Sequence, residues 1–312
     1  ANAITHNAIL QVFMNNNGQD NDGPHDAFQY FLNLETRYYA GDPVVQLDEY
    51  SYNLALNALS KFQDSEKASQ QALDLLQRMI DNSSNSNIEP TTATYNTVMK
   101  ILSRSPLRDA ALRAEQLLQE MEEASSSDQN NNATLLRPSA ISYATCISAW
   151  GYSRSPDRYQ RIRHLLVRME QSYQGGNQDA KPNIVPFNCV FIACCCGSDT
   201  RELALSCILE TVDQLRRTPG VKPNENTYPV LLRAIRLNTR PGERQTNLLS
   251  KELNHCIKDG LVNQKVMQAL QGVSPQVVAS QLPPDQQGNI SSVADFTIPA
   301  GWGRNIAGNI KP

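Results

Sequence analysis

Pro90-Thr91-Thr92-Ala93-Thr94-Tyr95 is a Pro, four residues and an aromatic ring, and the phrase returns as Pro138 to Tyr143, Pro182 to Phe187 and Pro223 to Tyr228. A version without the Pro leads to Tyr52, and a weaker one to His6. From His6 through Tyr52, Tyr95, Tyr143 and Phe187 to Tyr228, successive positions stand 46, 43, 48, 44 and 41 residues apart. Periods of roughly 20 to 50 residues mark a solenoid or array. Each unit of such an array buries its apolar face only by stacking on its neighbours, so function is expected on a repeated surface.

After each ring, apolar residues fall three, four and seven positions on: Val98, Met99 and Leu102; Cys146, Ile147 and Trp150; Val190, Phe191 and Cys194; Leu231, Leu232 and Ile235. That spacing is one stripe of an α-helix and not the alternation of a strand. Turns are predicted at Ser105-Pro106, Ser155-Pro156, Gly197-Ser198-Asp199 and Arg240-Pro241-Gly242. A second helix then carries Ala72, Leu75, Leu76 and Met79, with counterparts at Ala114, Leu117, Leu118 and Met121 and at Ile162, Leu165, Leu166 and Met169. Each unit therefore reads as a helical hairpin. The residues before the rings, Ser51, Thr94, Ser142, Pro186 and Thr227, suit a helix N-terminus, where a short side chain caps or a Pro is tolerated. The polar stretches Asn82 to Asn87, Ser125 to Asn132 and Gln174 to Asp179 are expected to be mobile surface loops.

Thr94-Tyr95-Asn96, Ala114 to Met121 and Lys181-Pro182-Asn183 resemble the parts of a pentatricopeptide repeat: Thr-Tyr-Asn, Ala-x-x-Leu-Leu-x-x-Met and a Lys-Pro-Asp-like junction. Tetratricopeptide repeats, with their Trp, Gly and Tyr signature in the first helix, fit less well. The resemblance spans about residues 2 to 258, with units starting near 2, 48, 91, 139, 183 and 224, each longer than the family norm. It implies an all-α fold, an α-solenoid of about six helical-hairpin repeats, or about twelve helices, wound as a right-handed superhelix. A cap and a mostly irregular C-terminal tail would follow over 259–312.

The resemblance also implies a site, because the family reads RNA one base per repeat with two or three side chains. The residue after the ring and the residue after the junction Pro would face the base edge. The pairs are Asn7 with Asp48, Asn53 with Thr91, Asn96 with Ser139, Ala144 with Asn183 and Asn188 with Asn224. The residue two before the ring would pack on the base plane, giving Ile4, Tyr50, Ala93, Ile141 and Val185. An amide both donates and accepts, so Asn suits a base edge, and Asn paired with Asp, Ser or Asn implies a pyrimidine in this family. Ala144 brings no donor, and the last unit, with Pro229 after its ring, is expected to read nothing. The bland alternative is that these Asn residues simply belong to helix N-termini. Lys61 and Arg104, nine residues after their rings, match positions where the family often has a Lys facing the RNA backbone. These two, with Arg154, Arg158, Arg161 and Arg163, form either a local basic face or a solvated helix face offset by nearby acids.

A net charge of −3 and a pI of 5.9 argue against a generally basic nucleic-acid binder. None of the seven Cys forms a CxxC pair with metal spacing, and Cys194, Cys195 and Cys196 diverge by about 100° per residue on a helix. They read as buried reduced thiols, which implies a reducing compartment. His6, His25, His164 and His255 are scattered, and no deaminase signature, phosphate-cradling Gly loop or nucleophile elbow appears. No enzyme, cofactor or metal is expected, and no run of 18 apolar residues offers a membrane span. A weak helix is expected over Leu261 to Leu270. Trp302, within Ile298 to Asn305, is expected to dock over the last hairpin, with a partner-binding tail as the alternative. The chain starts at Ala1 inside a first helix and reads as a processed protein or a fragment.

Two functions follow as expectations. One is an RNA-binding adaptor in a mitochondrion or plastid, both organelles implied by the resemblance alone. It would hold a short, pyrimidine-rich single-stranded RNA for processing, stability or translation, with RNA-processing or ribosomal proteins as further partners. The other is a non-catalytic scaffold that uses the same face for protein–protein interaction.

Overall fold

The computed structural model describes residues 2–15, 23–82, 88–127, 136–196, 200–282, 293 and 296–306. Among these the protein is all-helical, with fourteen α-helices and no strand. It divides into two compact units, Ala1–Arg154 with Gly175–Ala180, and Ser155–Gln174 with Lys181–Pro312.

The first unit holds α1 (Ala3–Asn15), α2 (Gly23–Tyr39), α3 (Glu49–Leu59), α4 (Ser65–Asn82), α5 (Thr92–Leu102), α6 (Ala110–Ser127) and α7 (Ala140–Tyr152). Odd-numbered helices are the first helices of the hairpins, and they pack in succession, α1 on α3, α3 on α5 and α5 on α7. Each second helix also packs on the hairpin that follows, α2 on α3, α4 on α5 and α6 on α7. The ring positions drive this arrangement by apolar burial. Tyr52, Tyr95 and Tyr143 are at most 4% exposed, and Tyr52 meets Phe31 edge-on at 4.9 Å between ring centroids. Their hydroxyls still find partners, as buried phenols must: Tyr52 pairs with Tyr39 at 3.0 Å, and Tyr143 donates to Glu122 at 2.8 Å.

Helix starts are fixed by capping boxes. Asp48, Thr91 and Ser139 are the N-caps of α3, α5 and α7, and Ser51, Thr94 and Ser142 close the boxes from the third helical position. The short residues before the rings thus lie inside the helices and not at the cap itself. Their hydroxyls reach back to the N-cap backbone, and all three residues are fully buried. Gln174 to Asp179 also departs from the expected loop. It ends in a short 3-10 helix, Gln178–Ala180, tied down by Asn177 Nδ2 donating to Pro138 O at 2.8 Å, with Ala180 buried. Residues 83–87 and 128–132 of the other two expected loops, and the turn Gly197-Ser198-Asp199, lie outside the described residues.

The second unit contains α8 (Arg158–Gln174), α9 (Ile184–Ala193), α10 (Arg201–Arg217), α11 (Thr227–Asn238), α12 (Glu243–Lys258), α13 (Gln264–Ala269) and α14 (Gln276–Ala279). First helices again pack in succession, α9 on α11 and α11 on α13, while α8 packs on α10 and α12 on α14. By these contacts α13 and α14 extend the rows of first and second helices beyond α11 and α12, where only a weak helix and a tail were expected. Asn263 caps α13 by accepting from Val266 N at 3.0 Å, as Asp48 does for Ser51 N, and Met267 is buried at the place of a ring.

The Trp302 segment is a 3-10 turn, Ala300–Gly303, lying on α12. Trp302 O accepts from Val262 N, Asn305 N donates to Gly260 O at 2.8 Å, and Arg304 Nη2 donates to Lys258 O at 2.6 Å. Gly260 has φ +67°, and a Cβ there would stand 2.6 Å from Arg304 Cγ. The helix end and the tail meet so closely because Gly260 has no side chain.

Charge divides unevenly between the units. The first contains 19 Asp and Glu against 10 Lys and Arg, the second 12 against 18, so a net of −9 and a net of +6 lie behind the total of −3.

Candidate functional site

The first helices of the first unit present a recurring arrangement at their N-terminal turns. Two residues before each ring position the side chain faces solvent: Ile4 is 75% exposed, Tyr50 50% and Ile141 60%, with the smaller Ala93 also exposed. Val185 on α9 repeats this in the second unit at 47%. Exposed apolar side chains recurring at one helical register differ from the scattered kind common on any surface. Gln11 Nε2 hydrogen-bonds the Tyr50 hydroxyl and so steadies that ring.

Beside these residues lie the amides that follow the rings. Asn7 Nδ2 donates to Asp48 Oδ1 at 3.0 Å, and Asn7 Oδ1 accepts from Ser51 Oγ at 2.7 Å, so α1 is joined to the start of α3. Asn53 Oδ1 accepts from Thr94 Oγ1 at 3.0 Å, while Glu49 bridges Asn53 Nδ2 and Thr91 Oγ1 at 3.1 and 2.7 Å. On α5, Asn96 is half-buried and its Oδ1 is enclosed without a hydrogen-bond partner; Ser139 caps α7 by accepting from Ser142 N. In the second unit Asn188 Nδ2 points to Asn224 Oδ1 at 3.4 Å, and Asn188 Oδ1 is likewise enclosed without a partner. Ala144 is buried on α7 in the first unit, and Asn183 caps α9 in the second through Val185 N at 2.9 Å.

Three of the five sequence-derived pairs are thus brought together, directly for Asn7 with Asp48 and Asn188 with Asn224, and through Glu49 for Asn53 with Thr91. The bridging Glu49, and the role of the buried Ser51 and Thr94 in holding the amides of Asn7 and Asn53, escaped sequence reasoning. The signal for the latter two was Asp or Thr three residues ahead of Ser or Thr at each junction. Burial raises the Asp48 carboxyl, but hydrogen bonds from Asn7, Ser51 and the backbone outweigh it, and the net shift is downward.

Neither Lys61 nor Arg104 points freely into solvent. Lys61 Nζ donates to Met14 O at 3.3 Å and Arg104 Nη1 to Ser60 O at 3.2 Å, so each cation caps the C-terminal carbonyls of the preceding first helix, where the helix dipole favours it. The arginines opening α8 are also engaged. Arg158 is buried with its guanidinium 4.6 Å over the Tyr159 ring, Arg161 pairs with Asp157 at 3.2 Å, and Arg163 pairs with Glu210; Arg154 is exposed.

None of the seven Cys is in a disulfide; Cys146, Cys194, Cys207 and Cys256 are buried and Cys189, Cys195 and Cys196 half-buried. Burial pushes Cys195 up to about 11, which leaves it a poor nucleophile at neutral pH. Among the described residues no group of His, Cys, Asp and Glu is placed to hold a metal ion, and no helix is long and apolar enough to cross a membrane.

No family model and no curated protein matches the sequence. The functional reading therefore rests on the repeated surface itself.

Proposed function

We propose that the protein is a non-catalytic, RNA-binding adaptor of pentatricopeptide-repeat type. Its hairpins would stack as a right-handed α-solenoid that holds a short single-stranded segment, in a mitochondrion or plastid, to support processing, stability or translation. The observation that carries this reading is the exposed apolar residue at one register of the successive first helices α1, α3, α5 and α7, namely Ile4, Tyr50, the smaller Ala93 and Ile141. Such a side chain offers apolar contact to the face of an unstacked base, and at Tyr50 an aromatic ring on which a base can stack whatever its sequence. Asn96 and Asn188 are half-buried one residue after their rings, and an amide can both donate to and accept from a base edge.

The test is titration of pyrimidine-rich, purine-rich and duplex oligonucleotides of equal length. The pyrimidine-rich single strand should bind best and duplex least. Tyr50→Ala should cost about 1 to 3 kcal/mol of single-strand affinity. Equal binding of all three, with Tyr50→Ala indistinguishable from wild type, overturns the reading.

A second reading, a protein-interaction scaffold, is favoured by two observations. The first unit carries a net −9, and Asn7 has both ends of its amide engaged within the protein. A partner chain with a basic face would suit that unit better than a polyanion does.

A further inference from the structure

The register that carries exposed apolar residues changes character along the second unit. On α9 the residue is Val185, but on α11 and α13 the corresponding residues are Asn226 and Lys265. Lys265 Nζ donates to Asn226 Oδ1 at 3.2 Å, joining these two helices at that register. Seven residues beyond Asn226, on the same face of α11 and about 10 Å along its axis, Arg233 is exposed. The position that would read a base on α11 is Pro229, which is buried and has neither a backbone N–H nor a polar side chain. No acidic residue occurs on α9, α11 or α13.

At the start of α11 this face runs into a cleft of about 760 Å³, lined by Lys222, Asn224, Asn226, Lys258 and Asn305 among others. Its two acids, Glu225 and Asp259, offset Lys222 and Lys258. The Asp259 carboxylate also accepts the Tyr228 hydroxyl, so part of its hydrogen-bonding capacity is used inside the protein. Lys265 and Arg233 supply the cationic excess.

We propose that α11 and α13 form a phosphodiester-binding face that grips the sugar–phosphate backbone of a single-stranded nucleic acid without reading its bases. Lys265 and Arg233 are its principal contacts, and the cleft with Lys222 and Lys258 continues it. The stacking side chain is missing on both helices and the base-edge group on α11, while cations and amides, the groups that bind phosphate oxygens, take their place. The assignment rests on the RNA-binding reading above and adds a division of labour to it: the earlier hairpins discriminate bases, and the last two anchor the strand.

The experiment compares the full chain with Arg233→Gln/Lys265→Gln, and separately with Lys222→Gln/Lys258→Gln, using oligouridylate and oligoadenylate at several salt concentrations. Both double variants keep the stems of exposed side chains, and matching circular dichroism melts identify folded protein. The first should weaken both oligonucleotides by the same factor, several-fold at low salt, and flatten the log–log salt slope by about 1.4. The second should act in the same direction. If both double variants keep the wild-type affinity and slope, or lose affinity for one oligonucleotide only, the anchoring face is overturned while RNA binding stands. If the unmodified chain binds neither oligonucleotide at low salt, both readings fall.

Discussion

In the first unit the buried carboxylate of Glu35 is held by Arg78 at 3.1 Å, and in the second that of Glu252 is held by Arg216 at 2.7 Å. Both pairs join neighbouring second helices, α2 to α4 and α10 to α12. Yet the first pair sits in a unit with a net charge of −9 and the second in one of +6. The hairpin pattern is satisfied by apolar burial and a few paired polar groups, and it is indifferent to the sign of the surrounding charge. Surface charge was left free to diverge, and it is in the charge that a difference in partners would show.

The largest effect expected in either unit comes from the ring positions. Phe187, 1% exposed, and Tyr52, fully buried, anchor α9 and α3. Truncating either to Ala should cost about 3 to 5 kcal/mol in chemical denaturation. A cost under about 1 kcal/mol at either ring would break the equivalence of the two hairpin sets.

A smaller effect separates the two ion pairs. Glu252 is 4% exposed and Arg216 34%, against 9% and 40% for Glu35 and Arg78, so the second-unit pair is the drier. Removing the Arg leaves a buried carboxylate uncompensated. Arg216→Ala should cost about 2 to 3 kcal/mol and Arg78→Ala about 1 to 2, with the Arg exposure lowering both figures. Urea melts that rank them the other way would show that unit charge, and not burial, sets the strength of these pairs.

The smallest effect is alkaline. Burial, and then Glu120 beside it, pushes the Tyr95 hydroxyl up to about 12, above the value near 10 of an exposed phenol. A raised folded-state value means the neutral ring contributes fully below about pH 10, and that this contribution is lost as pH climbs from 10 toward 12. The melting temperature of the wild type should fall over that range, and Tyr95→Phe should reduce the fall. Phe187, at the same place in the second unit, has nothing to titrate. An unchanged pH profile in Tyr95→Phe would place the alkaline loss elsewhere.

The hairpins were legible because apolar residues three, four and seven beyond each ring can only form one helical stripe, and every such ring proved buried. The helix expected over Leu261 to Leu270 is α13, but its place as a further first helix was not legible. Met267 stands where a ring was sought, no Pro precedes it by five, and α13 is only 6 residues long. Its place is set by packing on α11, which no local pattern encodes. At the candidate site, the family resemblance paired Asn7 with Asp48. It could not foresee Glu49 reaching both Asn53 and Thr91, since that depends on side-chain direction across two helices. Lys61 and Arg104 were legible as cations at a repeated position, but their carbonyl partners belong to the preceding hairpin and come near only on folding.

Gly260 holds a different kind of control. Where any other residue would carry its Cβ, the stem of Arg304 passes, and the backbone there already has φ +67°. One added methyl would collide with the tail and strain the turn together. Whether residues 300–306 ride with α12 or come away from it is therefore decided by the absence of one carbon atom. A protease that cuts near Arg304 would read that decision as a clock: slow on the native chain, fast once position 260 has a side chain.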